Sequence, residues 1–324
     1  MLERNKKILL IFINLWILKM ITFEDTDFPI AIYKGDNGEK KLIYIDKKLK
    51  ISSEDIDKYI EEDYTEKDLK DAMIMYKMNK EVEDGIHKKI IDVFQKKYKD
   101  GKRMEAYEGH FEIIPNPTES ERIYMCAPSK AGKSWQIARY VEKYKIIYPD
   151  NLIHLISDTK KDENFDGLNI NRIDLEWIYE SFRKLNKNEE RIDEPICVED
   201  FKNSLVIFDD IDSIMDKKVL ETVIKLNDVI YDRGRHDNIS IIRTNHKATE
   251  NKNGNQTKTS IENSDIIYVF PTSGNQGSIK FILSHFTGLK IEDNKSILKM
   301  NTRWVAIRKT APIMMVSENL IKIF

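Results

Sequence analysis

The stretch Ile123-Tyr124-Met125-Cys126-Ala127-Pro128-Ser129-Lys130-Ala131-Gly132-Lys133-Ser134-Trp135-Gln136-Ile137-Ala138-Arg139-Tyr140-Val141 decides the fold. Its first four residues are apolar and read as a strand. The run from Trp135 reads as the opening of a helix. Between them, Ala127 to Ser134 has the form of a phosphate-binding loop. Backbone N–H groups of such a loop, with those of the helix N-terminus, point at the phosphates of a nucleotide. Lys133 would reach the β- and γ-phosphates, and the Ser134 hydroxyl would ligate Mg²⁺. Two positions depart from the usual pattern. Ala127 stands where such loops commonly open with Gly, and is unstrained only if its φ is negative. Lys130 stands where many have a further Gly.

Working outward, Ser204-Leu205-Val206-Ile207-Phe208-Asp209-Asp210 is an apolar run closed by two carboxylates. It reads as a buried central strand of a parallel sheet. Such strands deliver their C-terminal residues to the ligand crevice. Asp209 is expected beside Mg²⁺ or its water, and Asp210 is expected to orient or deprotonate an attacking water. Asp212 reads as a helix cap or a surface residue. Residues 217–230 carry apolar side chains at helical spacing. Then come Arg233-Gly234-Arg235-His236-Asp237-Asn238 and the apolar strand Ile239 to Thr244, followed by Asn245-His246. Asn245 or His246 falls where a strand end would sense a γ-phosphate. Arg233 and Arg235 precede that strand, where an arginine finger could reach a neighbouring subunit.

These motifs together resemble the genome-packaging ATPases of large nucleocytoplasmic DNA viruses, the poxvirus type, within the FtsK/HerA group of ring-forming P-loop motors. The resemblance spans residues 110–320. It includes Asn151 to Ser157 as a second strand, and Arg303 to Ile307 with Ile313 to Val316 as a closing strand pair. It implies an α/β fold: a three-layer P-loop NTPase with a mostly parallel central sheet. It also implies Mg²⁺-dependent ATP hydrolysis, a homo-oligomeric ring, double-stranded DNA as the translocated partner, and a capsid or portal protein as a docking partner. The setting it implies is the host cytoplasm, in a viral factory, or the virion, without secretion. Two other readings stay open. One is a different enzyme of the same fold, such as a helicase or recombination ATPase. The other is a nucleotide-dependent assembly factor with little turnover.

Composition sets softer bounds. The 324 residues carry 33% charged and 41% hydrophobic side chains, with a formal net charge of −2. That excludes a globally basic nucleic-acid binder but not a motor with basic side chains only at a pore. Two cysteines, Cys126 and Cys197, suggest no disulfide framework, and no Cys/His spacing matches a zinc site.

Three segments are expected. Residues 1–19 form an apolar extension, with Ile8 to Leu18 following Arg4, Lys6 and Lys7 in the layout of a signal-peptide core or short anchor. Translation from Met20 is the preferred reading, and a membrane tether the alternative. Residues 20–109 form a small α/β module: a hairpin of Ile30 to Tyr33 and Leu42 to Ile45, then helices over 52–60, 66–80 and 83–100. The basic run from His87 to Arg103 reads as a solvated helix face, with a DNA- or capsid-facing patch as the alternative. Residues 110–324 form the ATPase core. Within it, 184–202 and Asn251 to Ser260 read as polar loops.

Overall fold

The computed structural model describes residues 20–23, 29–35, 37–46, 103–104, 106–159, 161–187, 197–248, 254–273, 275–310 and 313–324. The expectations on residues 1–19, on the helices over 52–60, 66–80 and 83–100, and on the basic run short of Arg103 lie outside them. Among the described residues, no helix is long and apolar enough to cross a membrane.

The chain forms two compact units. In one, the strand Met20–Thr22 runs antiparallel to Lys40–Asp46 and to Arg103–Met104. Ile21 pairs with Ile45, and both are buried with Ile43.

The other unit takes in residues 30–40 and 108–322. The strands Pro29–Lys34 and His110–Ile113 pair antiparallel. The turn after Lys34 is closed by the Gly35 N–H on Glu39 and the Gly38 N–H on Gly35.

The core of this unit begins with β1 (Arg122–Cys126) and α1 (Lys133–Ile147). Next come β2 (Leu152–Ser157), β3 (Asn171–Ile173) and α2 (Leu175–Lys187). They are followed by β4 (Ser204–Asp209), α3 (Lys217–Arg233) and β5 (Ser240–Asn245). The remainder is α4 (Gly254–Asn263), β6 (Ile266–Val269), α5 (Gln276–Phe286), α6 (Ile291–Leu298), β7 (Val305–Arg308), β8 (Met314–Ser317) and β9 (Leu320–Ile323).

The strands lie in the order β9-β8-β7-β6-β1-β5-β4-β2-β3. From β6 through β3 every pairing is parallel, and β6–β7 and β7–β8 are antiparallel. The fold is therefore mixed α/β with a mostly parallel central sheet, as the motifs predict. All six residues of β4 are buried, so both faces of the sheet are covered there. Val206 and Phe208 of β4 join Val219, Val223, Ile230 and Tyr231 of α3 in one core cluster. A second cluster gathers Tyr124 and Cys126 of β1 with Ile261 of α4 and Ile279, Ile282 and Leu283 of α5. Each such side chain contributes roughly 1.5–3 kcal/mol when fully buried.

Two polar segments differ from expectation. Gly254–Asn263 is a helix rather than a loop. Its propensity is poor, but Ile261 is buried, and Ser260 accepts hydrogen bonds from Asn227 and Arg243. Tertiary contacts here outweigh local preference. In 184–202, α2 runs on to Lys187, residues 188–196 lie outside the described residues, and Val198–Phe201 is a short 3₁₀ turn.

Candidate phosphate-binding site

β1 delivers its C-terminal end to the loop Ala127–Gly132, and α1 starts directly after it. Parallel strands present that end to the crevice, so β1, β5, β4 and β2 all point their last residues the same way. The loop is anchored to β5 by the Ala127 N–H, 3.1 Å from the Asn245 carbonyl. Gly132 caps α1 at φ 104°, where a side chain would be strained although nothing lies within 4 Å of its Cβ position. No side chain caps α1, and its first turn has no acidic residue. The free N–H groups and the positive helix end thus stay available to an anion. Ala127 is absent from the left-handed region, so its Cβ fits without strain. The left-handed residue is Lys130, at φ 65°.

Lys133 folds back over this loop. Its buried Nζ lies 2.8 Å from the Ala127 carbonyl, 3.4 Å from Asp210 Oδ1 and 3.2 Å from His246 Nδ1. An ammonium only donates, so Nδ1 of His246 is the acceptor. Nε2, on the other side of the ring, lies 3.2 Å from Asp210 Oδ2. Lysine, histidine and aspartate thus close one polar circuit beside the phosphate loop.

Asp209 ends β4 almost fully buried. Burial, followed by the charge of Asp210, pushes its carboxyl up to about 6 against the pull of Thr244 and Lys133. Asp210 sits at φ 49°, a left-handed conformation that Asp tolerates better than most residues. Thr244 of β5 ties the two together. Its hydroxyl is 2.8 Å from Asp209 Oδ1 and accepts the Asp210 N–H at 2.9 Å.

Asn245 and His246 separate clearly. Asn245 is buried and its Oδ1 accepts from Arg243 Nε, so it does not face Lys133. His246 does. Asp212 is not a helix cap but a half-buried residue inside the short turn after β4. Its Oδ2 accepts the His246 N–H at 3.2 Å, and its Oδ1 is buried without a partner. Asp210, Asp212 and His246 bring ligand atoms within 4.8 Å of one another, next to the charge of Lys133.

Sequence reasoning missed Asp162, in the loop after β2. Burial would raise its pKa, but hydrogen bonds from the Asn164 backbone and side chain and from the Ser134 hydroxyl lower it. Its charge also reaches Asp209. Ser134, Asp162 and Asp209 offer only oxygen donors, the ligand type that a hard dication such as Mg²⁺ takes. Cys126, at the end of β1, is a free thiol pushed up to about 12 by burial and is chemically inert there.

Arg233 and Arg235 lie at the other end of the strands. Arg235 belongs to a 3₁₀ turn before β5 and pairs with Asp265, which also accepts from the N–H and guanidinium of Arg122 at the start of β1. The four steps from Arg122 to Cys126 separate that edge from the phosphate loop by roughly 13 Å. The chain therefore does not bring its own Arg233 and Arg235 to Lys133.

No protein-family model matches the chain. The uncharacterized protein V3 of the Sputnik virophage is 32% identical over 212 residues, covering 65% of this chain and 80% of V3. Among solved structures, the DNA-packaging ATPase B204 of Sulfolobus turreted icosahedral virus superposes with a TM-score of 0.40 at 15% identity, over 61% of this chain and 96% of B204. The pCW3 conjugation coupling protein TcpA superposes with a TM-score of 0.39 at 13% identity, over 70% of this chain and 68% of TcpA.

Proposed function

We propose that this chain, which belongs to the family of the Sputnik virophage protein V3, is an ATP hydrolase that uses the phosphate-binding loop between β1 and α1. The observation that carries the reading is the convergence of Lys133, Asp210 and His246 at that loop. Lys133 would exchange its contacts with Ala127 and Asp210 for β- and γ-phosphate oxygens. Release of Asp210 from Lys133 would leave its carboxylate to orient the attacking water and take a proton from it. His246 would report the γ-phosphate, because it touches both groups that change partners. Ser134 and Asp209 would hold Mg²⁺, with Asp162 supporting Ser134. A bound dication supplies neutralising charge at the phosphates.

The wider reading is a DNA translocase that packages a viral genome. It draws its support from the motif resemblance over residues 110–320, because one fold hosts many activities. In that reading the subunits form a ring on duplex DNA, dock on a capsid or portal protein, and complete each other's sites with Arg233 or Arg235. The placement of both arginines away from their own Lys133 is what a contribution in trans requires.

ATP hydrolysis by the full chain, with and without linear duplex DNA, tests both levels. Hydrolysis is expected with Mg²⁺, abolished by Lys133→Ala, and cut about 10²-fold by Asp210→Asn with ATP binding kept. Stimulation by duplex and a more than linear rise with protein concentration support the translocase. Wild-type turnover in Asp210→Asn overturns the assigned chemistry.

A further inference from the structure

Trp135 follows Ser134 in the first turn of α1, yet 44% of its surface is exposed. An indole is among the costliest side chains to leave in water, and nothing in the phosphate chemistry asks for one. Its surroundings are built. The Arg139 guanidinium, one turn further on, lies 5.8 Å from the indole centroid. Arg139 is itself held by Glu142 at 2.7 Å and by Glu112 at 3.1 Å. One side of the ring is thus propped by a fixed cation, and a large part of the side chain still meets solvent.

Helix geometry sets where that ring lies. Successive residues turn by about 100°, so Trp135 is about 200° from Lys133. Lys133 turns into the protein and Trp135 turns out. Trp135 sits in the first turn of α1, so its indole lies at the helix end where the phosphates would enter and on the outward face.

We propose that Trp135 is the stacking platform for the base of the bound nucleotide, and that Arg139 is the positioning residue that holds the indole in place. This rests on the phosphate-site reading above. A nucleoside triphosphate anchored at Lys133 must carry its base away from the buried end of the site, toward solvent. A flat aromatic surface at that exit covers the base without needing a hydrogen-bond partner.

The test measures binding to the full-length protein by calorimetry, with Mg²⁺ throughout. Two ligands are compared: ATPγS, which has a base, and tripolyphosphate, which has none. Trp135→Ala is expected to weaken ATPγS about tenfold or more while tripolyphosphate stays within about twofold of wild type. Trp135→Phe keeps a ring and should recover most of the ATPγS affinity. Arg139→Ala should weaken ATPγS by a smaller factor and leave tripolyphosphate alone. Equal losses for both ligands in Trp135→Ala would mean that the indole only shapes the phosphate loop, and would overturn the platform. Unchanged ATPγS affinity in Trp135→Ala would overturn it too. If the wild-type protein binds neither ligand, the phosphate site itself is wrong and the platform falls with it.

Discussion

The hydroxyl of Thr244 stands 2.8 Å from the buried carboxylate of Asp209, two strand ends joined across 35 residues of sequence. The same oxygen accepts the Asp210 N–H, so one hydroxyl fixes both acids. Thr244→Val keeps the shape and removes the hydroxyl. It leaves a buried acceptor and a buried N–H without partners, a loss of about 1.5–3 kcal/mol. We expect a lower thermal midpoint together with a drop in kcat, and recovery of both in Thr244→Ser. Unchanged stability in the valine variant would show that the hydroxyl is not engaged as described.

The two residues after Thr244 should part ways when mutated. His246→Ala removes the link between Lys133 and Asp210, so turnover should fall about 10²-fold while ATP binding persists. Asn245→Ala instead strips Arg243 Nε of a buried acceptor, and should cost about 1–3 kcal/mol in stability. Turnover per folded molecule should stay near wild type. Steady-state hydrolysis, normalised to the folded fraction, decides the matter. The opposite pattern would make Asn245 the sensor.

What was legible in the sequence was local. The strand, loop and helix around Lys133 are contiguous, and the apolar run into Asp209-Asp210 announces a buried strand by itself. Thr244 and Asp162 were not legible, because each acts on a residue brought near only by the sheet: Thr244 on Asp209, Asp162 on Ser134. Nothing in a polar strand end or an Asp-rich loop says which partner it will meet. Helix α4 was missed for a related reason, since Ser260 and Ile261 are held by β5 and the core rather than by helix propensity. His246 and Asn245 could not be ranked from order alone. Strand alternation turns neighbours to opposite faces, and the pairing of β5 with β1 and β4 settles which one faces Lys133.

The two departures in the phosphate loop carry opposite predictions. Lys130 is the left-handed residue, and a non-glycine side chain there costs about 1 kcal/mol. Lys130→Gly should therefore leave stability unchanged or raise it by up to about 1 kcal/mol, once the added freedom of the unfolded chain is offset. Ala127 is not left-handed, so Ala127→Gly gains nothing from the backbone and should cost about 0.5–1 kcal/mol. Denaturant midpoints of the two variants give the signs. Equal destabilisation would contradict the loop conformation.

Glu112 provides the pH test. Burial would raise its pKa, but hydrogen bonds from Lys143, Lys34 and Arg139 win and hold it at about 2, against 4.5 for a free glutamate. Lys143 points the other way: burial, its largest influence, leaves its pKa lowered although it pairs with Glu112 at 2.8 Å. The cost of desolvating Lys143 therefore offsets part of the gain, and about 1–2 kcal/mol is a fair size for the net contribution of the cluster. The sign follows from linkage. A carboxyl with a depressed folded pKa binds fewer protons folded than unfolded, so its contribution is complete above about 4.5 and is lost as pH falls toward about 2. Glu112→Gln should be less stable than wild type at pH 7 by that amount. The gap between the two should close between pH 4.5 and pH 2, measured as the difference in urea midpoints so that other titrating groups cancel. A gap that stays constant down to pH 2 would mean that the three cations hold Glu112 by shape alone, with no charge in the bond.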